Sequence, residues 1–267
     1  MTKVAVGEIE LDYERGGSGP PLLMIMGMSG TALHWGEPFL AELRRDFDVI
    51  AYDHRGVGES SPLEGGVTIP QMAEDAANLM AALEIEAAHV LGISMGGMVA
   101  QELALARPEM VRSLTLGCTY CGGEGSSVTS PEVLQRLTLA MMSGDRDRAL
   151  RAGWEANVSH GMVDDADAYA RFLGVAERRA VAIPVIMAQL QAIAAHDTSA
   201  RLRELSMPTL VIHGTEDQIL PVENGRLVAS RVPGSQLEIL DGVGHLFFWE
   251  LPVRSAELVR DRARVPV

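Results

Sequence analysis

The stretch Val90-Leu91-Gly92-Ile93-Ser94-Met95-Gly96-Gly97-Met98 constrains this chain more than any other. An apolar run suited to a buried strand ends in a serine with glycine two residues to either side, and a helical run, Met98 to Ala106, follows. A strand that turns this sharply into a helix forces the serine into a strained backbone conformation. Glycines at the flanks remove the side chains that would collide there. The serine hydroxyl then stands clear of the sheet, at a helix tip whose amide dipoles favour developing negative charge.

The rest of the chain supplies a sheet for that turn. Val4–Val6 and Ile9–Glu14 alternate apolar and polar residues around Gly7, as a hairpin with one wet face does. Leu22–Met26, Val49–Tyr52, Val90–Ile93 and Val111–Leu116 are short apolar runs, the pattern of strands covered on both faces. Helical spacing separates them at Pro38–Arg45, Gln71–Leu83 and Met98–Ala106. From about Tyr120 to Leu205 no strand-like run occurs, and helices are expected over 131–142, 147–156, 166–176 and 181–195, with a start or kink at Ile183-Pro184. Alternation resumes with strand Thr209–Ile212, helix Pro221–Arg231, strand Gln236–Leu240 and a closing helix Phe247–Arg260. The expected architecture is a mostly parallel α/β sheet flanked by helices (residues 1–119 and 206–267), interrupted by a helical lid over residues 120–205.

A serine is a weak nucleophile until a base lies within hydrogen-bond reach and a third group steadies that base. Seven histidines are present. His245, in Gly242-Val243-Gly244-His245, follows the last expected strand, and Asp217 follows the one before it, in His213-Gly214-Thr215-Glu216-Asp217. Loops past the carboxyl ends of parallel strands gather on one edge, so Ser94, Asp217 and His245 can meet there. Glu216 competes with Asp217 for the acid role, and His213 is expected to pack in or near the core. Acyl transfer also needs donors for an oxyanion. The backbone amide of Met95 is one, and the loop Gly27-Met28-Ser29-Gly30 offers that of Met28.

With these segments in hand, the chain resembles the α/β-hydrolase superfamily along nearly its whole length. The resemblance rests on Gly17–Pro21, Tyr52–Ser60, Gly92–Met98, Pro208–Gly214 with Asp217, and Gly244-His245 followed by Glu250 and Pro252. Nucleophile, acid and base in the order Ser94, Asp217, His245 is the order of that superfamily. The nearest branches are esterases, enol-lactonases and cofactor-free haloperoxidases. The resemblance implies a serine hydrolase with Ser94, Asp217 and His245 as catalytic residues, no organic cofactor and no metal. One departure is Met26-Gly27, where the superfamily usually has His-Gly; the pocket is less polar there. A serine rather than an aspartate at position 94 favours acyl chemistry over dehalogenation or epoxide opening.

Composition narrows the partners. A net charge of −14 argues against nucleic acid and anionic membranes. The opening Met1-Thr2-Lys3-Val4 has no basic segment followed by an apolar run, and no stretch approaches the roughly 20 apolar residues of a membrane span. A soluble cytoplasmic protein is expected, with a homo-oligomer left open. Cys118 and Cys121 are read as structural or incidental, since zinc needs further ligands at spacing. Met24, Met26, Met28, Met95 and Met98 cluster near the nucleophile, with Met28 and Met95 expected to face the cavity. Trp154, His160, Tyr169 and Ile183–Met187 are candidates for its roof. Arg146, Arg148 and Arg151 are spaced as an exposed helix face and Arg178-Arg179 as a solvated pair, so no strongly anionic substrate is signalled. The expected substrate is a small to medium, largely apolar carboxylic ester or lactone. Carbon–carbon bond hydrolysis of ring-cleavage products, perhydrolysis and a non-catalytic ligand-binding role remain as alternatives.

Overall fold

The computed structural model describes residues 2–178 and 181–265. Its order opens with β1 (Thr2–Val6), β2 (Ile9–Gly17), β3 (Pro21–Ile25), α1 (Glu37–Leu43), β4 (Asp48–Tyr52), α2 (Ile69–Ala82), β5 (Ala88–Ile93), α3 (Met95–Ala106) and β6 (Val111–Gly117). Four helices follow: α4 (Pro131–Met142), α5 (Arg146–Asn157), α6 (Ala166–Ala176) and α7 (Ile183–Ala194). The chain closes with β7 (Thr209–Gly214), α8 (Glu223–Arg231), β8 (Gln236–Leu240), α9 (Phe247–Glu250) and α10 (Pro252–Ala263).

The strands form one eight-stranded sheet in the order β1-β2-β4-β3-β5-β6-β7-β8. β1 and β2 are antiparallel, as are β2 and β4, and every later pairing is parallel. Side chains alternate strictly between two cores. Leu23 and Ile25 enter the core on the side of α2 and α3, whereas Leu22 and Met24 enter the one on the side of α1 and α10. Burial of both faces is why these strands read as unbroken apolar runs. From β3 the chain crosses to β4 on one side and then returns to β5 on the other. Successive connections therefore leave opposite faces at the β3–β5 boundary, the position past whose carboxyl ends open α/β sheets hold their ligand sites. The loop after β3 and the turn after β5 border it.

Local signals set the helix ends. The Thr68 hydroxyl accepts the Gln71 amide while the Gln71 side chain accepts the Thr68 amide, and Ser130, Asp145 and Asp165 cap α4, α5 and α6. Pro184 sits in the first turn of α7 and starts that helix rather than kinking it. The single closing helix expected from Phe247 to Arg260 is instead two. Pro252 cannot donate to the preceding turn, so α9 ends at Glu250 and α10 begins anew. α3 begins at Met95, three residues before its apolar pattern suggests, and α8 begins at Glu223 rather than Pro221. No helix among the described residues is long and apolar enough to cross a membrane.

Candidate active site

Ser94 occupies the junction of β5 and α3 with φ 53° and ψ −125°, far from the helical and extended basins. Three of the four described non-glycine residues with positive φ cluster at this sheet edge: Ser29, Ser94 and Cys118. The packing that holds the serine turn is backbone against backbone. A Cβ on Gly96 would lie 2.0 Å from the Ile25 carbonyl oxygen, and one on Gly27 would lie 3.0 Å from the Ser94 Cβ. Strand β3, its following loop and the first turn of α3 can thus approach only because both positions lack side chains. The Gly97 and Met98 amides donate to the Ser94 carbonyl, which also accepts the Thr119 hydroxyl at 2.7 Å.

On the other flank, His245 Nδ1 lies 2.7 Å from Asp217 Oδ2. A carboxylate only accepts, so Nδ1 carries the proton and Nε2 keeps its lone pair. The other carboxylate oxygen, Oδ1, accepts the Ile219 and Leu220 amides at 2.9 Å each. Asp217 is nearly fully buried. Burial pushes its carboxyl up, but the imidazoles of His245 and His213 outweigh this and hold it well below the usual carboxylate range. Glu216, its rival for the acid role, points elsewhere and accepts the His160 amide and ring at 2.8 Å.

The two flanks join through β6. The Ser94 amide donates to the Gly117 carbonyl, and the Cys118 amide to the Ile212 carbonyl in β7. The Cys118 sulfur and ligand atoms of Asp217 and His245 all lie within 4.8 Å of one another. Burial, then the nearby carboxylate, raises the Cys118 pKa well above its ordinary value, so this sulfur is a neutral thiol beside a carboxylate–imidazole pair. Cys118 and Cys121 are both unbridged. Cys118 thus has a structural place beside the Asp217 carboxylate, within the reading of both cysteines as structural or incidental.

Five further residues make contacts at this edge that the sequence reading does not assign. His213 is fully buried, as expected, but its Nε2 sits 2.8 Å from the Leu220 carbonyl and 3.1 Å from Asp217 Oδ2. Its Nδ1 has no partner, so the proton resides on Nε2 and serves both acceptors. His54 Nε2 lies 3.0 Å from the Met26 carbonyl, and the Asp53 carboxylate accepts the Ala32 amide at 2.7 Å. These adjacent residues past β4 thereby brace the loop that carries Met28. Burial lowers the His54 pKa, which keeps the ring neutral. Gln189, on α7, accepts the Ser29 amide at 2.8 Å and ties the helical segment to that same loop. Glu250 Oε1 accepts both the Gly244 and Ser159 amides at 2.9 Å, fixing the loop of His245. A signal for His54, His213 and Cys118 was available: each stands at or just past the carboxyl end of a strand on the same edge.

The expected lining residues divide. Met28 is partly buried, whereas the Met95 side chain is fully buried in the core on the α2–α3 side, contrary to a cavity-facing placement. Trp154 is fully buried among Tyr169, Phe172 and Trp249, and so anchors the helical segment to the core. His160 is exposed on Glu216 and roofs nothing. Arg146 and Arg148 are exposed, Arg151 pairs with Glu155 and Asp164, and Arg178 is exposed, while Arg179 lies outside the described residues.

Sequence and structure comparisons show the family. Residues 22–258 match the alpha/beta hydrolase family. The chain belongs to the alpha/beta hydrolase family and is an enzyme of that class. It is 32% identical over 247 residues to the RutD protein of Azorhizobium caulinodans, provisionally assigned as a carbamate hydrolase, covering 90% of each chain. Among solved structures it superposes on an esterase, RhEst1, from Rhodococcus sp. ECU1013 with a TM-score of 0.84 at 28% identity, covering 99% of this chain and 98% of that one. The enol-lactonase of Burkholderia xenovorans LB400 gives a TM-score of 0.84 at 26% identity, covering 98% and 99%.

Proposed function

We propose that the protein hydrolyses a small to medium, largely apolar carboxylic ester or lactone through an acyl-enzyme formed on Ser94. The observation that carries this reading is the buried Asp217–His245 hydrogen bond of 2.7 Å, on the sheet edge where the strained Ser94 turn also stands. Its tautomer leaves the His245 Nε2 lone pair free to take the serine proton. Oγ then attacks the carbonyl carbon, and the oxyanion rests on the amides of Met28 and Met95 at the start of α3. His245 returns the proton to the leaving alkoxide. Water, deprotonated by the same ring, releases the acid. Asp217 stays ionised throughout and stabilises the imidazolium. The helices between β6 and β7, within residues 120–205, serve as a lid over this edge, and Gln189 and Trp154 are contacts that support that role. The reaction calls for neither a metal nor an organic cofactor.

The test is turnover of p-nitrophenyl esters and lactones of graded acyl length, with phenyl carbamates as a carbamate probe because a relative is provisionally assigned to carbamate hydrolysis. Ester or lactone hydrolysis that vanishes in Ser94→Ala supports the reading. Carbamate turnover without ester turnover, or ester turnover that survives Ser94→Ala, overturns it.

A further inference from the structure

A cavity of about 460 Å³ opens between the Ser29–His34 loop and helices α4 to α7. Ser29, one residue past Met28, is on its lining, so the cavity borders the loop that carries Met28. Its walls are apolar: Leu150, Phe172, Ile183 and Ile186 are among them. Arg146, the one charged group on its lining, is exposed. Against those walls one ring is differently built. His34 Nδ1 lies 3.0 Å from the Thr31 amide nitrogen and 3.0 Å from the Thr31 hydroxyl. An amide N–H can only donate, so Nδ1 is unprotonated and the ring proton sits on Nε2. Among the described residues Nε2 has no hydrogen-bond partner, although His34 lines the cavity and the edge of Phe172 packs on its ring. Burial drives the His34 pKa down to about 4, so the ring stays a neutral donor at physiological pH.

We infer that this cavity is a substrate subsite in which His34 Nε2–H donates to a neutral oxygen of the substrate, a ketone or amide carbonyl beyond the scissile group. The inference rests on the hydrolase reading of the same edge and names its substrate class: esters or lactones bearing a second, uncharged acceptor. Arg146 apart, the apolar walls offer such an acceptor few competing donors, and a donor left unpaired beside bound hydrocarbon is penalised. The site therefore discriminates against the plain alkyl analogue.

The experiment compares p-nitrophenyl esters of unbranched acids, with a ketone moved stepwise along the chain, against their alkyl parents. The matching carboxamides are titrated calorimetrically into the Ser94→Ala protein. At one ketone position kcat/KM and affinity should both favour the oxo compound by about 3- to 10-fold. His34→Leu should abolish that ratio. His34→Gln should keep it, because a glutamine can accept the Thr31 amide as Gln71 does at Thr68 and still present an N–H. Equal thermal midpoints for the two variants assign the difference to the donor rather than to the loop. Absence of preference at every ketone position, or a preference that survives His34→Leu, overturns the subsite. So does a preference for carboxylate-bearing analogues that depends on Arg146→Gln instead. Should no ester be turned over while the carboxamide preference follows His34, the hydrolase reading fails and the subsite stands.

Discussion

The two flanks of the site are built from different materials. On one, Ser94, the proposed nucleophile, is set by close packing of main chain, with Gly96 against Ile25 and Gly27 against the serine itself. On the other, Asp217 and His245, the proposed acid and base, are set by side-chain hydrogen bonds from the Ile219 and Leu220 amides, from His213 and through Glu250. Close packing fixes a conformation but admits no added atom. A hydrogen-bonded mount accepts any side chain that preserves the bonds, and it fails by degrees. The first flank should therefore break as a loss of folding, and the second as a loss of rate.

The largest effect belongs to Asp217→Asn. The asparagine oxygen is held by the Ile219 and Leu220 amides, so its N–H faces Nδ1 and imposes the wrong tautomer, and kcat/KM should drop about 10⁴-fold. Steady-state assay of Asp217→Asn beside Glu216→Gln checks the assignment; a comparable loss in Glu216→Gln would transfer the role to the neighbour. Next, Gly96→Ala must push a methyl into the Ile25 carbonyl at 2.0 Å. A destabilisation of about 3 kcal/mol is expected from denaturant midpoints. Native-like stability in that variant would erase the contrast between the flanks. Glu250→Leu removes an ionised acceptor shared by two amides, and activity should fall about 10- to 100-fold, with Glu250→Gln recovering much of it.

Acid separates the flanks with the smallest effect. Burial depresses the folded pKa of His34 and of His196 to about 4, below the ordinary 6.5 of the unfolded chain. The unfolded chain therefore binds protons first as pH falls. This stabilisation is complete above 6.5 and is lost progressively down to 4. The slope is at most about 1.4 kcal/mol per pH unit for each ring. Asp217 runs at lower pH: its folded pKa is depressed, so its contribution is intact above the ordinary 3.8 and is lost as pH falls below that. Denaturation curves between pH 7 and 4 should flatten in His34→Gln and stay unchanged in slope in Asp217→Asn (the pH values mark roughly that window).

This division also explains what could be read before any coordinates. Backbone-driven features leave a mark on the sequence. Glycines around Ser94, apolar runs in the strands and prolines at helix starts each record a steric demand at their own position. The spacing of Asp217 and His245 past their strands is legible for the same reason. Side-chain mounts leave no such mark. His213 and His54 look like any strand-end histidine, and Cys118 like a stray thiol, because their partners are residues brought near only by the sheet order. Gln189 is further removed, 160 positions from Ser29. The helix broken at Pro252 was visible in principle, since a proline one turn into an apolar pattern is itself the signal.

One contact has a consequence for how this scaffold can be altered. The Ser159 amide and the Gly244 amide share the same Glu250 oxygen, and the Leu246 amide donates to the Asn157 carbonyl. Residues 157–159, at and just past the end of α5, are thus stitched to the strip of chain carrying the imidazole. Exchanging α4, α6 or α7 for segments from a relative changes the walls while leaving that seam whole. A graft that replaces residues 157–159 changes walls and proton acceptor together, and its selectivity and its rate will not be separable.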